Sequence, residues 1–211
     1  MMQRETGDPN FPIWLIGDSN PAQWESALLT PFDPRHPVIH NIWTSVIDVI
    51  QDRVYREARL RVDTSSIYIR NAVDDPLKKP KSSELQWQGA VEEEVVSLGK
   101  LVKKFHPKML FSFGAFAYEF TRRSMGDIEP KKYGGWGAKE LGSEFNRQIS
   151  HFDPTHTNNL PLLHRSISGG KYIQSHDYFT GEEGVNYFES VGNKLAKKLL
   201  QYKEQLHIWI K

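Results

Sequence analysis

The sequence predicts an α/β protein with three layers, in which helices cover both faces of a mostly parallel central sheet of about four strands. The first observation behind this prediction is a set of four short apolar runs, each of which ends abruptly at a glycine or a polar residue. The second is that segments with apolar residues at three- and four-residue steps separate these runs, as amphipathic helices do. Strands and helices that alternate in this way are typical of parallel sheets with crossover connections.

Each predicted strand delivers polar residues or a glycine to the same edge of the sheet. The strands are predicted over residues 13–16, 66–70, 109–113 and 160–163. The residues that follow them are Gly17 with Asp18, Asn71, Gly114 and His164. Because open α/β sheets bind ligands at the carboxyl ends of their strands, we expect a site that combines an acid, an amide and an imidazole.

Three helices and one irregular segment are predicted between the strands, and a fourth helix follows the last strand. Apolar periodicity predicts helices over about 38–56, 89–105, 115–123 and 185–206. Residues 126–158 combine weak periodicity with several glycines, so they are predicted to form an irregular insertion. The 211 residues contain no internal repeat and no low-complexity tract, and we expect a single domain over 1–211.

The composition excludes several classes of function. The chain has no cysteine, which rules out disulfides, thiol nucleophiles, iron–sulfur clusters and cysteine-ligated zinc. The histidines form no ligand pair at metal spacing, so no metal and no cofactor are expected. A net charge of +1 means that any affinity for nucleic acid must come from a local patch. No apolar run suits a signal peptide or a membrane span, so a cytoplasmic protein without membrane association is expected.

Five segments of the chain resemble, in order, motifs of the uracil-DNA glycosylase superfamily. They are residues 15–21, 30–33, 67–73, 98–117 and 163–166. The first resembles the family's motif of Gly, a carboxylate or amide, and Pro, and the last resembles its His-Pro-Ser motif. Two departures stand out, because Pro21 follows Gly17 by four residues where the family usually has three, and Arg165 replaces the motif's proline. The resemblance implies the family's fold and a monomeric DNA repair enzyme that hydrolyses the bond between a deaminated base and its sugar.

The resemblance also implies roles for individual side chains. Asp18, as a carboxylate near neutrality, or Asn20 is expected to hold the attacking water and to stabilise the cationic sugar. His164 is expected to donate a hydrogen bond to the departing base, as the family's histidine does. An aromatic ring stacks on the extruded base, and an amide both donates to and accepts from its edge. The residues implied to bind the base are Gly17, Phe32 and Asn71.

Several basic or hydroxyl side chains in the predicted edge loops are expected to contact DNA phosphates. They are Lys78, Lys79, Arg165, Ser166 and Lys171. The expected partner is therefore DNA, single- or double-stranded, that contains uracil or another deaminated base.

Two other classes of function remain open at the level of sequence. Gly17-Asp18-Ser19 resembles the nucleophile block of the SGNH esterases, and Asp153-Pro154-Thr155-His156 has that family's Asp-x-x-His form. In that interpretation Ser19 attacks an ester, His156 is its base and Asp153 orients the histidine. The third class is a non-catalytic nucleic-acid-binding module on the same fold. A pure binding module has no need of an acid, an amide and an imidazole together, which favours catalysis.

Overall fold

A mixed five-stranded sheet forms the centre of the protein. The computed structural model describes residues 5–19, 33, 39–126, 129–164 and 173–210. The strands are β1 (Glu5–Thr6), β2 (Ile13–Gly17), β3 (Arg61–Val62), β4 (Tyr68–Asn71), β5 (Met109–Phe113), β6 (Asn158–Leu162) and β7 (Trp209–Ile210). The central sheet has the order β1-β4-β2-β5-β6, in which β4, β2, β5 and β6 are parallel and β1 is antiparallel to β4. Strands β3 and β7 form a separate antiparallel pair.

Alternating side chains of the strands build one hydrophobic layer on each face of the sheet. In β2, Ile13 and Leu15 pack into one layer, whereas Trp14 and Ile16 pack into the other. All four side chains are at most 2% exposed. A strand that is buried on both faces is apolar at successive positions, which explains why these residues form a continuous apolar run.

The helices cover both faces of this sheet. They are a π-helical turn (Ile39–Trp43), α1 (Thr44–Ala58), a 3₁₀ turn (Pro76–Lys78), α2 (Ala90–Phe105), α3 (Gly114–Ser124), a second 3₁₀ turn (Tyr133–Gly135), α4 (Ala138–Ser150), α5 (Ile173–Thr180), α6 (Tyr187–Gln201) and α7 (Lys203–Leu206). Helices α1, α4 and α6 pack on the face of Leu15, and α2 packs with Phe116 and Phe120 of α3 on the face of Trp14. The α/β class and the flanking of a central sheet by helices are thereby confirmed.

The expected sheet of about four mostly parallel strands is corrected, because β1 adds a fifth strand that is antiparallel to its neighbour. The four predicted strands are all present. The additional strand, β1, is only two residues long and lies in a polar segment. No apolar run marks such a strand in the sequence. A contact at the sheet edge supports it, since the Tyr68 hydroxyl donates a 2.6 Å hydrogen bond to the Glu5 carboxylate.

The irregular segment expected over 126–158 is also corrected, because helix α4 occupies much of it. Leu141, Phe145 and Ile149 follow one another at four-residue steps and are buried against the sheet. These three residues form a stripe only one residue wide along the helix, so the apolar periodicity is faint in the sequence.

Candidate functional site

The carboxyl ends of four parallel strands meet at one edge of the sheet, as the sequence predicts. Gly17 at the end of β2 lies opposite Asn71 at the end of β4. Gly114 follows β5 directly, and His164 lies two residues beyond the end of β6. Since adjacent strands are about 4.8 Å apart, the four ends span roughly 15 Å, which suits a small substrate or a single nucleotide.

Asn71 packs directly on the backbone of Gly17. A methyl group added to Gly17 would lie 2.3 Å from the Asn71 Oδ1, so only glycine leaves room for this amide. The Ala72 N–H donates to the Gly17 carbonyl at 2.9 Å, and the Val73 N–H donates to the Asp18 carbonyl at 3.2 Å. These contacts hold the backbone that carries Asp18 against the end of β4.

Asp18 forms an ion pair with Lys79 at this edge. The Lys79 Nζ lies 2.7 Å from the Asp18 Oδ2, and the two side chains are 24% and 19% exposed, respectively. The second carboxylate oxygen, Oδ1, is buried and has no hydrogen-bond partner among the described residues. A buried acceptor without a donor has a desolvation cost of about 1–3 kcal/mol, which a bound polar group would relieve.

Lys79 is held in place by the turn that precedes it and by the proline that follows. The Asp75 side chain accepts a 2.8 Å hydrogen bond from the Leu77 N–H and begins the 3₁₀ turn. The Lys79 N–H then closes this turn on the Pro76 carbonyl at 3.2 Å. The Lys79 Nζ also lies 4.9 Å from the centroid of the Phe116 ring, a distance at which a cation is attracted to an aromatic face.

Tyr133 forms an aromatic wall beside this ion pair. Its ring makes edge contacts with Phe116 and Trp87, at centroid distances of 5.3 and 6.4 Å. Its hydroxyl donates a 3.0 Å hydrogen bond to the Pro80 carbonyl, one residue beyond Lys79. Burial raises the pKa of Tyr133, and the nearby negative charge of Asp18 raises it further. The phenol therefore stays neutral across the physiological range of pH.

The segment that contains this tyrosine is anchored by a buried glutamate, Glu119 of α3. Glu119 is 0% exposed and accepts four hydrogen bonds. The Arg122 and Arg123 side chains donate two of them, at 2.7 and 2.9 Å. The Lys131 N–H and the Trp136 Nε1 donate the other two, at 2.6 and 2.8 Å. These bonds fix both ends of residues 131–136 on α3.

His164 lies against the first residue of α3. Gly114 has a φ of +84°, and a methyl group added to it would lie 2.7 Å from the His164 Cβ. Both the backbone conformation and the close contact therefore require glycine at this position. The turn from β5 into α3 thus leaves space for the imidazole at the same edge as Asp18 and Asn71.

The other predicted site residues are two lysines that the structure describes and five residues that lie outside its described ranges. Lys78 pairs with Asp74 at 2.7 Å, and Lys79 pairs with Asp18. Both lysines therefore have carboxylate partners within the chain, and their contact with DNA stays a prediction. The predicted residues that lie outside the described part of the chain are Asn20, Phe32, Arg165, Ser166 and Lys171.

The residues of the esterase interpretation lie at opposite edges of the sheet. Ser19 follows the carboxyl end of β2, whereas Asp153 and His156 precede the amino end of β6. The His156 Nδ1 does lie 2.9 Å from an Asp153 carboxylate oxygen, but these side chains are 78% and 47% exposed. Strands β2 and β6 are aligned through β5, so about five residues of strand, roughly 16 Å, separate the serine from the histidine. This geometry does not assemble a catalytic triad.

Sequence reasoning missed the partner of Asp18 and the aromatic wall beside it. The sequence predicts only a phosphate contact for Lys79, and Tyr133 lies in the segment with weak periodicity. A signal was present in the 3₁₀ turn, because Asp75-Pro76 is a typical turn start and Pro80 fixes the backbone after Lys79. No local pattern indicates which side chain meets Asp18, because Lys79 is 61 residues away in the sequence.

The chain matches no model of a known protein family, and no curated protein shows significant similarity to it. Among the described residues, no group of three or more His, Asp or Glu side chains is placed to hold a metal ion. None of the helices in the described ranges has the length and apolarity needed to cross a bilayer. The fold and the geometry of the sheet edge are therefore the basis for a functional proposal.

Proposed function

We propose that the protein is a DNA repair glycosylase with a uracil-DNA-glycosylase-like fold, which hydrolyses the N-glycosidic bond of a uracil or another deaminated base. The observation that supports this proposal most strongly is the carboxylate of Asp18, which is mostly buried at the carboxyl edge of the sheet and has one oxygen without a hydrogen-bond partner among the described residues. Asn71 is the last residue of β4, and His164 lies two residues beyond β6, which is parallel to β4 in the same mixed sheet.

The charge that develops on the sugar during the reaction is complementary to the carboxylate of the site. Cleavage of an N-glycosidic bond develops positive charge on the sugar and negative charge on the departing base. Asp18 supplies the negative charge for the sugar side, and its Oδ1 is the atom that accepts a proton or a hydrogen bond from the attacking water. Lys79 holds the other oxygen of the carboxylate, so the orientation of the group is fixed before substrate binds.

The base side of the reaction is assigned to Asn71 and His164. The Asn71 amide can donate and accept at once, which the edge of uracil requires. The His164 imidazole can donate to a carbonyl oxygen of the base as negative charge develops there. The glycines that contact these side chains, Gly17 and Gly114, fix their positions relative to the sheet.

The direct test incubates the protein with oligonucleotides that contain uracil, hypoxanthine or xanthine, in single- and double-stranded form. Alkali then cleaves any abasic site, and strand scission is measured on a denaturing gel. We expect scission with at least one base, and its loss in Asp18→Asn, Asn71→Ala and His164→Ala variants. Asp153→Asn is the matched control, because it makes the same carboxylate-to-amide change at the opposite edge of the sheet. Absence of scission with every substrate contradicts the proposal.

A non-catalytic nucleic-acid-binding module is the second candidate, and the Asp18–Lys79 ion pair favours it. In that case the pair has the structural role of fastening residues 75–80 to the end of β2. The protein would then retain DNA on oligonucleotide beads without scission, and retention would weaken steeply as salt rises. Retention that is unchanged in Asp18→Asn would support this second candidate.

A further inference from the structure

The proposed hydrolysis generates an aldehyde next to a lysine. Removal of the base leaves a hydroxyl on C1′ of the sugar, and this hemiacetal is in equilibrium with the ring-opened aldehyde. Lysine amines attack carbonyl carbons to form imines. The Lys79 Nζ contacts the carboxylate that is proposed to face C1′, at 2.7 Å. The amine is therefore placed where the reaction product would carry its carbonyl group.

We propose that Lys79 is the nucleophile of a second activity, an abasic-site lyase that cuts the DNA strand after base removal. This inference rests on the proposed glycosylase function, because it takes the abasic sugar as its substrate. It adds a catalytic residue and a reaction that water-mediated hydrolysis by Asp18 does not include.

The reaction balances with the groups at the site. The Lys79 ammonium transfers a proton to the Asp18 carboxylate, and the neutral amine adds to C1′ of the aldehyde. The carbinolamine hydroxyl takes the proton from Asp18 and leaves as water, which forms an iminium ion and restores the carboxylate. Loss of a C2′ proton to solvent then breaks the C3′–O bond, and the electron pair of that bond leaves with the 3′ phosphate. One water hydrolyses the imine and returns the lysine.

The surroundings distinguish Lys79 from its neighbour Lys78. The Lys79 side chain is 24% exposed, and its partner Asp18 is 19% exposed. Lys78 is 40% exposed and pairs with Asp74, which is 50% exposed. Lys79 also packs its ammonium on the Phe116 ring, which limits the positions that the amine can occupy. The Lys79 amine is therefore more buried and more confined than the Lys78 amine.

The test uses an oligonucleotide with a preformed abasic site and sodium borohydride, which reduces an imine to a stable amine bond. The wild-type protein is expected to form a covalent protein–DNA adduct that migrates slowly on a denaturing gel. Peptide mass spectrometry is expected to locate the adduct at Lys79. An oligonucleotide with a tetrahydrofuran analogue is the negative control, because it has no C1′ hydroxyl and cannot open to an aldehyde.

Lys79→Arg is the critical variant, since arginine keeps the positive charge beside Asp18 but forms no imine under these conditions. We expect it to unfold at the same urea concentration as wild type and to form no adduct. Lys104→Arg is the control, because Lys104 is exposed on α2 and its ammonium also lies on an aromatic ring, 4.8 Å from the Phe105 centroid. This variant is expected to form the adduct at the wild-type yield. No adduct with the wild-type protein, or an undiminished adduct with Lys79→Arg, overturns the proposal.

The result is separable from that of the proposed function, because the abasic site is supplied ready-made. Release of uracil without a trapped adduct refutes the lyase alone and leaves the glycosylase intact. An adduct at Lys79 without release of any base supports the lyase and contradicts the glycosylase.

Discussion

Two carboxylates in this protein differ in burial and in hydrogen bonding: Glu119 is fully buried, and Asp18 is 19% exposed. Glu119 is 0% exposed and accepts hydrogen bonds from two arginines, a backbone N–H and an indole N–H. Asp18 has one lysine on Oδ2 and no described partner on Oδ1. Both carboxylates are charge-paired, but within the described part of the chain Glu119 has donors for both of its oxygens and Asp18 has a donor for one.

The difference separates a structural role from a functional one. A fully bonded anion is positioned by the fold and has no capacity left for a ligand, so its role is to hold residues 131–136 on α3. A carboxylate with an unpaired oxygen stores a desolvation cost that the fold does not recover. That oxygen also lies at the sheet edge where ligands bind in open α/β proteins. We therefore expect Glu119 to matter for stability and Asp18 to matter for activity.

The largest expected effect on stability comes from Glu119→Ala. The change leaves two guanidinium groups without their carboxylate and releases both ends of residues 131–136, so we expect a loss of about 3–5 kcal/mol in the free energy of unfolding. Urea denaturation followed by circular dichroism measures it. Glu93→Ala, at an exposed position of α2, is the control and is expected to cost less than about 0.5 kcal/mol. Equal effects of the two substitutions would contradict the assigned role of Glu119.

A smaller effect is expected from Gly114→Ala at the site itself. The added methyl group meets His164 at 2.7 Å in a backbone conformation with a φ of +84°. We expect a loss of about 2 kcal/mol from strain and overpacking together, and a displaced imidazole. Gly181→Ala is the matched control, because its φ is +83° but no atom lies within 4 Å of the added methyl group. If both variants lose the same stability in thermal unfolding, the contact with His164 has no energetic consequence.

Glu144 of α4 is a third carboxylate that hydrogen bonds hold in the folded protein. Its contribution to stability can be tested by changing the pH. Burial alone would raise the pKa of Glu144, but hydrogen bonds from Arg147, Tyr118 and Gln148 outweigh it and lower this pKa to about 2. Since the pKa in the folded state is below the ordinary value of 4.5, the stabilisation is complete above pH 4.5 and is lost as the pH falls toward 2. Because solvent screens part of this interaction, we expect the charged carboxylate of Glu144 to contribute about 1–2 kcal/mol to the free energy of unfolding.

The measurement for Glu144 is the difference in unfolding free energy between wild type and Glu144→Gln, taken at several values of pH. We expect this difference to be largest near neutrality and to shrink below pH 4.5. A difference that is independent of pH would show that the carboxylate charge of Glu144 contributes nothing to folding.

The smallest effect on stability is expected from Asp18→Asn. The change removes an ion pair between partly exposed side chains, so we expect less than about 1 kcal/mol in urea denaturation. A loss as large as that of Glu119→Ala would contradict the contrast between the two carboxylates and would favour a structural role for Asp18.

The sheet edge was predictable because its signals are local. Each strand is an apolar run that stops at a glycine or a polar residue, and parallel strands bring those stops together. This is why the sequence alone assigns Gly17, Asn71, Gly114 and His164 to one edge. The antiparallel β1 was not predictable, since two polar residues carry no periodicity.

The partners of the two carboxylates were not predictable, because they depend on tertiary contacts. Glu119 with arginines three and four residues later is typical of an exposed helix face, and nothing local indicates that Trp136 covers it. Likewise Lys79, in a polar loop with Lys78, has the pattern of a solvated charge. In the folded protein Lys79 contacts Asp18, whereas Lys78 pairs with Asp74 at the surface.

The most direct test of the central claim is the single-turnover rate of base release by wild type, Asp18→Asn and Asp153→Asn on a uracil-containing oligonucleotide. We expect wild type and Asp153→Asn to release uracil at the same rate. We expect Asp18→Asn, folded to the same stability within about 1 kcal/mol, to be slower by about 100-fold or more. Uracil release by Asp18→Asn at the wild-type rate would contradict the claim that Asp18 is the catalytic carboxylate.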